Sequence, residues 1–521
     1  MNKIFYLIIF LALSFVSCKK ALHMFQQNRY EFYRYTTWLF NKKNIHFSFY
    51  LIYILLMLII DFFFKGKLRI IFFILLTISF SIYLIYKEIN TEYIKDLVYT
   101  NRVKRQIIYL IIMLIICLYL SLLIFKDHLS FIGIISLYLP YLLIYPMALL
   151  TLPLENFIKK KYENEARNIL NNDNSLIKVA ITGSFGKTTT KNLVKDILDN
   201  EFYTLMTPAS YNTPMGITRT IREELKPIHE IFICEMGADH VGDISYLMDF
   251  VKPKYGILSA IGPQHLNTFK TFGNIVREKF KVIEMLPEDG IAFINLDNEY
   301  ISSYECNCKC KIVSVAVDNK EADYVANNII YTNQGTSFDI LIDNELLHFE
   351  TPLLGKHNIT NLLLGIALGH ELGMSNEKIL NGVKNVSQVE HRLQLKKINN
   401  FNFIDNAFNS NPISSKLSLD VLEKMPGKRI IVTPGLIDLG NMEDKYNYEF
   451  GSYMKGKCDF VILVGQKQST FINKGLIESG FNEENILIVK TVKEAFDYIY
   501  THFSYEDTIL LENDLPDAFN I

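Results

Sequence analysis

The sequence predicts an α/β chain in three parts: N-terminal transmembrane helices, a parallel-sheet domain built round a phosphate-binding loop (P-loop), and a smaller Rossmann-like α/β domain at the C-terminus. Three observations predict it. Apolar stretches crowd the first third of the 521 residues. From about Ser175, short apolar runs alternate with helical patterns, the mark of a mostly parallel sheet covered on both faces. Between one such run and the next helix stands Gly183-Ser184-Phe185-Gly186-Lys187-Thr188. The expected parts are residues 1–156, 175–390 and 391–521, in keeping with a prior of about 150 residues per domain.

In the middle part the expected elements are a strand at Ile177–Thr182, a helix at Lys187–Leu198, strands at Ile231–Glu235 and Tyr255–Ala260, a helix at Lys279–Leu286 and a strand at Ile291–Leu296. A second alternating block begins near Phe401, with strands at Arg429–Thr433, Phe460–Val464 and Ile486–Val489. The loop after the first strand carries the chemistry. Gly183 and Gly186 let the backbone approach an anion, and the amides of Ser184, Phe185 and Thr189 with the helix N-terminus face it. Lys187 reaches outer phosphates and Thr188 can ligate magnesium. The common loop has its first glycine where this chain has Ile181, so the match is to a shortened variant.

A nucleotide-using domain bears on how the apolar stretches are read. They are Ile4–Val16, Phe47–Phe64, Ile70–Tyr86, Ile107–Phe125 and Phe131–Leu152. A spanning helix needs about 20 mostly apolar residues. The last four qualify, with Asp61 at a membrane boundary, and the first is short. Phe15-Val16-Ser17-Cys18 faintly resembles a lipoprotein cleavage box, but export would part the enzyme from its ATP, so a membrane helix or anchor is expected.

If all five cross, the inside loops hold Lys19, Lys20, Arg29, Arg34, Lys42 and Lys43, then Lys87, Lys95, Arg102, Lys104 and Arg105, then Lys159, Lys160 and Lys161. The outside loops hold Lys65, Lys67, Arg69 and Lys126. This asymmetry follows the positive-inside rule and predicts a multi-pass protein of the cytoplasmic membrane with its catalytic domains in the cytoplasm. The helices suit a plain anchor, or a holder for a lipid-linked substrate or other membrane lipid; the sequence leaves both open.

The net charge of -2 shows no basic excess, so no nucleic-acid partner is expected. Seven cysteines in no framework spacing read as reduced thiols. Cys306, Cys308 and Cys310 alternate, which would turn all three to one side as a metal clip needs. The two-residue zinc spacing and a second pair are missing, so a reduced surface turn is expected.

The shortened loop followed by Thr189-Thr190 resembles the Mur ligase family. Glu235-Met236-Gly237-Ala238 with Gly242-Asp243-Ile244, Gly355-Lys356-His357-Asn358 with Asn361, and Ile404-Asp405-Asn406-Ala407-Phe408-Asn409-Ser410-Asn411-Pro412 look like its branch that adds D-alanyl-D-alanine to a muramoyl peptide in peptidoglycan synthesis. The resemblance covers about Ile177 to Leu511. It implies an ATP-dependent ligase that joins a carboxylate acceptor, such as a muramoyl peptide, to an amino acid or dipeptide amine through an acyl phosphate, with two Mg2+ ions.

The resemblance also implies roles. Lys187, Lys279, His265 and Arg392 are the expected catalytic set, and Thr188, Glu235, His265 and Lys279 the metal set. Lys279 matches a lysine that the family carbamoylates, giving a negative ligand where an ammonium would repel an ion. Arg392 resembles the arginine that reaches the phosphates when the C-terminal domain closes. Asp405 looks like the acid near the ribose, Asn295 and Asn358 match positions near the adenine, and Thr207-Pro208 through Asn212-Thr213-Pro214-Met215-Gly216 looks like the loop at the substrate cleft.

The chain also departs from the branch. Membrane helices replace the soluble domain that binds the UDP-linked precursor. Asn447 stands where the branch has histidine, Thr433–Gly440 only partly follows its glycine-aspartate pattern, and Leu511-Glu512-Asn513-Asp514-Leu515-Pro516-Asp517 replaces a lysine-glycine-serine signature. A lipid-linked or other polymer acceptor is therefore the alternative. An ATP-driven transporter lacks its signature set here. A nucleotide-binding scaffold does not explain Lys187, Thr188, Glu235, His265, Lys279 and Arg392 together.

Overall fold

The computed structural model describes residues 3–40, 47–91, 96–125, 128–209, 211–264, 266–332, 334–388, 390–407, 412–437, 439 and 442–513. It forms two compact units, Met1–Tyr162 and Glu163–Ile521.

The first unit is helical: α1 (Lys3–Gln27), α2 (Phe32–Phe40), α3 (Phe47–Phe63), α4 (Gly66–Ile89), α5 (Asn101–Ile124) and α6 (Leu129–Asn172), the last of which also supplies residues to the second unit. Among the described residues, α1, α4, α5 and α6 are long and apolar enough to cross a membrane, while α3 is shorter. This corrects two expectations. The first stretch runs on past Val16 to Gln27, and Lys19 and Lys20 lie within it rather than in a loop. Its polar side chains are met by neighbouring helices, which is how such residues are tolerated in apolar bundles. Ser14 Oγ donates to the Ser136 carbonyl at 2.8 Å, Ser17 Oγ meets Tyr50 Oη at 3.0 Å, and Lys19 pairs with Glu88 at 2.8 Å.

The second unit opens with β1 (Ile177–Thr182), α7 (Lys187–Leu198), β2 (Thr204–Met206), α8 (Pro214–Glu223), β3 (Ile231–Glu235), α9 (Asp243–Val251) and β4 (Tyr255–Leu258). It continues through α10 (Leu266–Phe269), α11 (Phe272–Glu284), β5 (Ile291–Asn295), α12 (Glu299–Ser302), β6 (Lys311–Ala316) and β7 (Tyr324–Val325). The seven strands form one sheet in the order β2-β3-β1-β4-β5-β6-β7, parallel at every pairing.

Alternation along the strands fills two cores, because successive side chains point to opposite faces. Val179, Ile181, Ile231, Ile233 and Phe293 enter one core with α7, and Ala180, Phe232, Cys234, Ala292 and Ile294 enter the other with α9 and α11. A small antiparallel sheet of β8 (Asn327–Thr332), β9 (Gly335–Ile342) and β10 (Glu345–Thr351) follows, then α13 (Lys356–Glu371) and α14 (Asn376–Lys384).

The last part has β11 (Gln394–Ile398), β12 (Phe401–Asn406), α15 (Pro412–Leu422), β13 (Arg429–Thr433), α16 (Glu443–Tyr453), β14 (Phe460–Val464), α17 (Lys467–Glu478), β15 (Ile486–Val489), α18 (Val492–His502) and β16 (Thr508–Glu512). Its sheet runs β11-β12-β16-β13-β14-β15, parallel except for the β11–β12 hairpin.

The cysteine trio differs from the expected surface turn. Cys310 is 8% exposed, and Cys306 and Cys308 pack against the second core. All seven cysteines are free. Among the described residues, no group of three or more His, Cys, Asp or Glu side chains is placed to hold a metal ion.

In the C-terminal domain α16 and α17 touch backbone to backbone. A Cβ on Gly475 would lie 2.1 Å from the Tyr448 carbonyl oxygen, and one on Gly451 2.1 Å from that of Ile472. We expect Gly475→Ala to lose about 1–2 kcal/mol in chemical unfolding, because overpacking of roughly 1–3 kcal/mol outweighs the helix-propensity gain of about 1 kcal/mol. An unchanged midpoint would mean that the two helices can separate at no cost.

Candidate active site

Three strand ends build the site. In register, Ile181 near the end of β1 pairs with Glu235 at the end of β3, and Thr182 pairs with Leu258 at the end of β4. The segments that leave these ends therefore meet in one place. Ligands of open parallel sheets bind beyond the carboxyl ends of strands for this reason.

The loop from Gly183 to Gly186 is pressed against the chain leaving β4. Ser184 N donates to the Ala260 carbonyl at 2.7 Å, Ser184 Oγ to that of Gly262 at 2.8 Å, and Ser259 Oγ to that of Phe185 at 2.6 Å. A Cβ on Gly183 would lie 2.2 Å from Ser259 Oγ, so no other residue fits this approach. Gly186 has a φ of 80°, a left-handed turn that delivers the chain into α7. Lys187 is folded back on its loop, its Nζ donating to the Gly183 and Ser184 carbonyls at 2.8 and 3.0 Å. Burial lowers its pKa, Glu235 opposes this, and the Arg392 charge adds to the lowering. Thr189 is buried, and Thr190 Oγ1 donates to Asn361 Oδ1 at 3.0 Å, so the loop helix is fastened to α13.

Glu235 is 1% exposed. Thr188 Oγ1 donates to its Oε2 at 3.1 Å, Lys191 Nζ lies 3.1 Å from the same oxygen, and Asn212 Nδ2 donates to Oε1 at 3.0 Å. Magnesium is commonly held by one or two carboxylates together with substrate phosphates. Glu235 and Thr188 supply adjacent oxygens at the mouth of the phosphate loop, and so fit the ion.

Lys279 is 2% exposed on α11. Burial first, and then the charge of Lys187, bring its pKa down to about 7 against the pull of Glu278, Asp243 and Glu235. Its neighbour Glu278 accepts from the Gly242 and Ile244 amides at 2.9 and 2.7 Å, capping α9. That cap is the physical use of the Gly242-Asp243-Ile244 motif. His265 lies outside the described residues.

Arg392 is exposed just ahead of β11, near enough to Lys187 and His357 to depress both pKa values. Burial, aided by Arg392, takes His357 down to about 4. Burial alone would raise Asp405, but Lys396 at 2.5 Å, the Ala407 amide and His391 at 2.9 Å hold its carboxyl below the usual range.

Asn295 and Asn358 carry structural bonds. Asn295 donates to the Ser259 carbonyl at 3.1 Å and accepts from the Asp297 amide, while Asn358 donates to the Leu354 carbonyl at 2.7 Å. The positions that depart from the family pattern are structural too. Asn447 is buried, bonding the Leu436 amide and the Leu436 and Glu443 carbonyls. Glu512 accepts from Asn406 and Ser418, and Asn513 donates to the Gly435 carbonyl.

The structure thus brings Gly183 to Thr189, Glu235 and Lys279 to one edge, with the Arg392 charge felt there and Asp405 on the neighbouring hairpin. Sequence reading missed Lys191. Its signal was present, since four residues after Lys187 on a helix is the same face.

A phosphate loop on a parallel sheet, an acid beside its threonine and a second α/β domain define a nucleotide-dependent enzyme. Residues 181–369 match the Mur ligase middle domain, and residues 391–512 match the Mur ligase glutamate ligase domain, together more than half of the chain. The chain belongs to the Mur ligase family, whose members are ATP-dependent ligases that form carbon–nitrogen bonds.

Among its relatives are the UDP-N-acetylmuramoyl-tripeptide–D-alanyl-D-alanine ligases of Escherichia coli and Bacillus subtilis. The first is 28% identical over 60% of this chain and 70% of its own, and the second 27% identical over 64% and 72%. MurF from Acinetobacter baumannii shares the fold, with TM-score 0.59 at 24% identity over 68% of this chain and 77% of its own. So does MurF from Thermotoga maritima, solved with ADP, with TM-score 0.59 at 22% identity over 69% and 81%.

We expect Lys187→Met to weaken ATP binding about 100-fold, roughly 3 kcal/mol, in calorimetric titration of the full chain. Binding within twofold of the unsubstituted protein would remove Lys187 from the phosphate site.

Proposed function

We propose that this chain joins a muramoyl-peptide carboxylate to D-alanyl-D-alanine or a similar amine at the expense of ATP. The observation that carries the reading is the meeting of the Lys187 loop, Glu235 and Lys279 at one sheet edge, in a chain whose relatives bear that activity by name. The acceptor carboxylate attacks the γ-phosphorus of ATP, giving an acyl phosphate and ADP. The amine then attacks the acyl carbon, the nitrogen loses a proton, and phosphate leaves as the amide forms.

The chain's own residues align and neutralise, the two terms that lower such barriers most. Loop amides and Lys187 hold phosphate oxygens, and Arg392 adds positive charge from the C-terminal side. Bound magnesium would offset phosphate charge from Thr188 and Glu235. Lys279 is buried within electrostatic reach of this acid with its pKa lowered to about 7, which supports carbamoylation: the neutral amine would add carbon dioxide and lose a proton, giving a carbamate that could serve as a carboxylate ligand for a second ion.

A lipid-linked acceptor is the second reading, favoured by the four long apolar helices of the first unit. The same helices support a multi-pass protein of the cytoplasmic membrane, its catalytic unit on the side that holds ATP.

Purified full chain with ATP, magnesium, UDP-muramoyl-tripeptide and D-alanyl-D-alanine should release phosphate and form product of the summed mass less water. A parallel arm with lipid-linked acceptor separates the two readings. Intact ATP binding with no turnover on any carboxylate and amine pair would sink the ligase assignment. With 13C-labelled bicarbonate we expect a carbamate carbon signal that Lys279→Ala abolishes, together with a loss of turnover of about 100-fold or more; full turnover in that variant would exclude the carbamate.

A further inference from the structure

We propose that Lys191 couples metal arrival at Glu235 to the loop 207–213, so that metal-bound nucleotide sets the affinity for the carboxylate acceptor. This deepens the ligase reading and rests on it. Lys191 is 0% exposed, a cation in the core of the phosphate-loop helix α7. Among the described residues its Nζ meets Glu235 Oε2 at 3.1 Å and donates to the Ala209 carbonyl at 2.6 Å. One partner is the acid that fits magnesium, and the other belongs to the loop that leaves β2.

That loop is clasped to Glu235 on two further sides. Thr207 Oγ1 accepts from the Glu235 amide at 3.1 Å, and Asn212 Nδ2 donates to Glu235 Oε1 at 3.0 Å. Asn212 is fixed in turn, its carbonyl accepting from the Gly237 amide at 2.9 Å. A Cβ on Gly237 would fall 2.7 Å from Asn212 Cγ, so the loop lies hard against the strand end. Ala209, between these ties, has a φ of 43°, a left-handed conformation that costs an alanine energy and persists only where surroundings impose it. Its carbonyl is the one that Lys191 holds. The loop leaves β2, whose neighbour in the sheet is β3, at the carboxyl ends of the strands where substrates of such sheets lie.

A divalent ion taking Glu235 Oε2 competes with Lys191 for that oxygen and repels its ammonium. The lysine is then left to the Ala209 carbonyl, and the loop is held the more tightly. Coupling between two bound ligands is reciprocal, so acceptor binding must also favour the metal-bound state.

Hydrogen–deuterium exchange of the full chain tests this without any acceptor. Peptides covering residues 207–213 should gain protection with ADP and magnesium relative to ADP alone, and unchanged protection overturns the coupling. Lys191→Met, which removes the competing cation and the tie to Ala209, should move two constants in opposite directions. The magnesium activation constant should fall about 5-fold while the acceptor KM rises about 10-fold, within the range usual for coupled sites. Lys191→Arg, which keeps the charge, should retain the exchange response. A purely structural lysine would worsen both constants together, and that outcome contradicts the proposal. Absence of amide formation with any acceptor counts against the ligase reading and leaves the exchange result standing; amide formation with no exchange response counts against the coupling alone.

Discussion

The Glu235 carboxylate is the constraint round which the catalytic unit is arranged. A buried carboxylate is expensive unless charge and hydrogen bonds compensate it. Thr188, Lys191 and Asn212 meet that need at the carboxylate oxygens, and Thr207 Oγ1 accepts from the Glu235 amide. Each comes from a different segment: the mouth of α7, its second turn, and both ends of the loop after β2. Satisfying one acid therefore fixes the phosphate loop, its helix and the neighbouring loop together. The acid also depends on the sheet, because the β1–β3 register sets it level with the start of the phosphate loop.

Around this centre the remaining groups are placed by burial. Lys187 and Lys279 are both depressed by desolvation, Lys187 further by the Arg392 charge and Lys279 further by the Lys187 charge. Lys187, folded against the phosphate loop, supplies positive charge there, which suits a polyphosphate better than a neutral ligand. Arg392 adds to this field from the C-terminal domain, and Asp405 is held ionised by Lys396 and His391 on the adjoining hairpin. The glutamate on α11 next to Lys279 caps α9, so the helix that carries the lysine is anchored to the strand end that carries the acid.

Much of this was legible in the sequence where local chemistry decides. The strand Ile177–Thr182, the glycine turn, the helix Lys187–Leu198 and the strand Ile231–Glu235 follow from apolar alternation and a loop composition with few other uses. What was not legible depended on distant partners. β16, at Thr508–Glu512, is central in the C-terminal sheet but reads as a brief apolar run, since its neighbours β12 and β13 lie about 75 to 107 residues upstream. The β8–β10 sheet escaped notice because half of β8 is exposed and its alternation is mixed with polar residues. The length of α1 was hidden by Ser17, Cys18, Lys19 and Lys20, whose polarity is met by Tyr50 and Glu88 from other helices. Lys191 has no role in the sequence reading, and only its burial against Glu235 distinguishes it.

Whether Glu235 and Thr188 together receive the metal that accompanies ATP is open to direct test. Crystals of the full chain grown with manganese and a non-hydrolysable ATP analogue would show the ion directly through its anomalous scattering. The expected result is manganese bonded to oxygens of Glu235, Thr188 and the nucleotide phosphates, with Lys191 withdrawn from the carboxylate. Manganese held by phosphates alone, with Glu235 still clasped by Lys191 and Asn212, would contradict it.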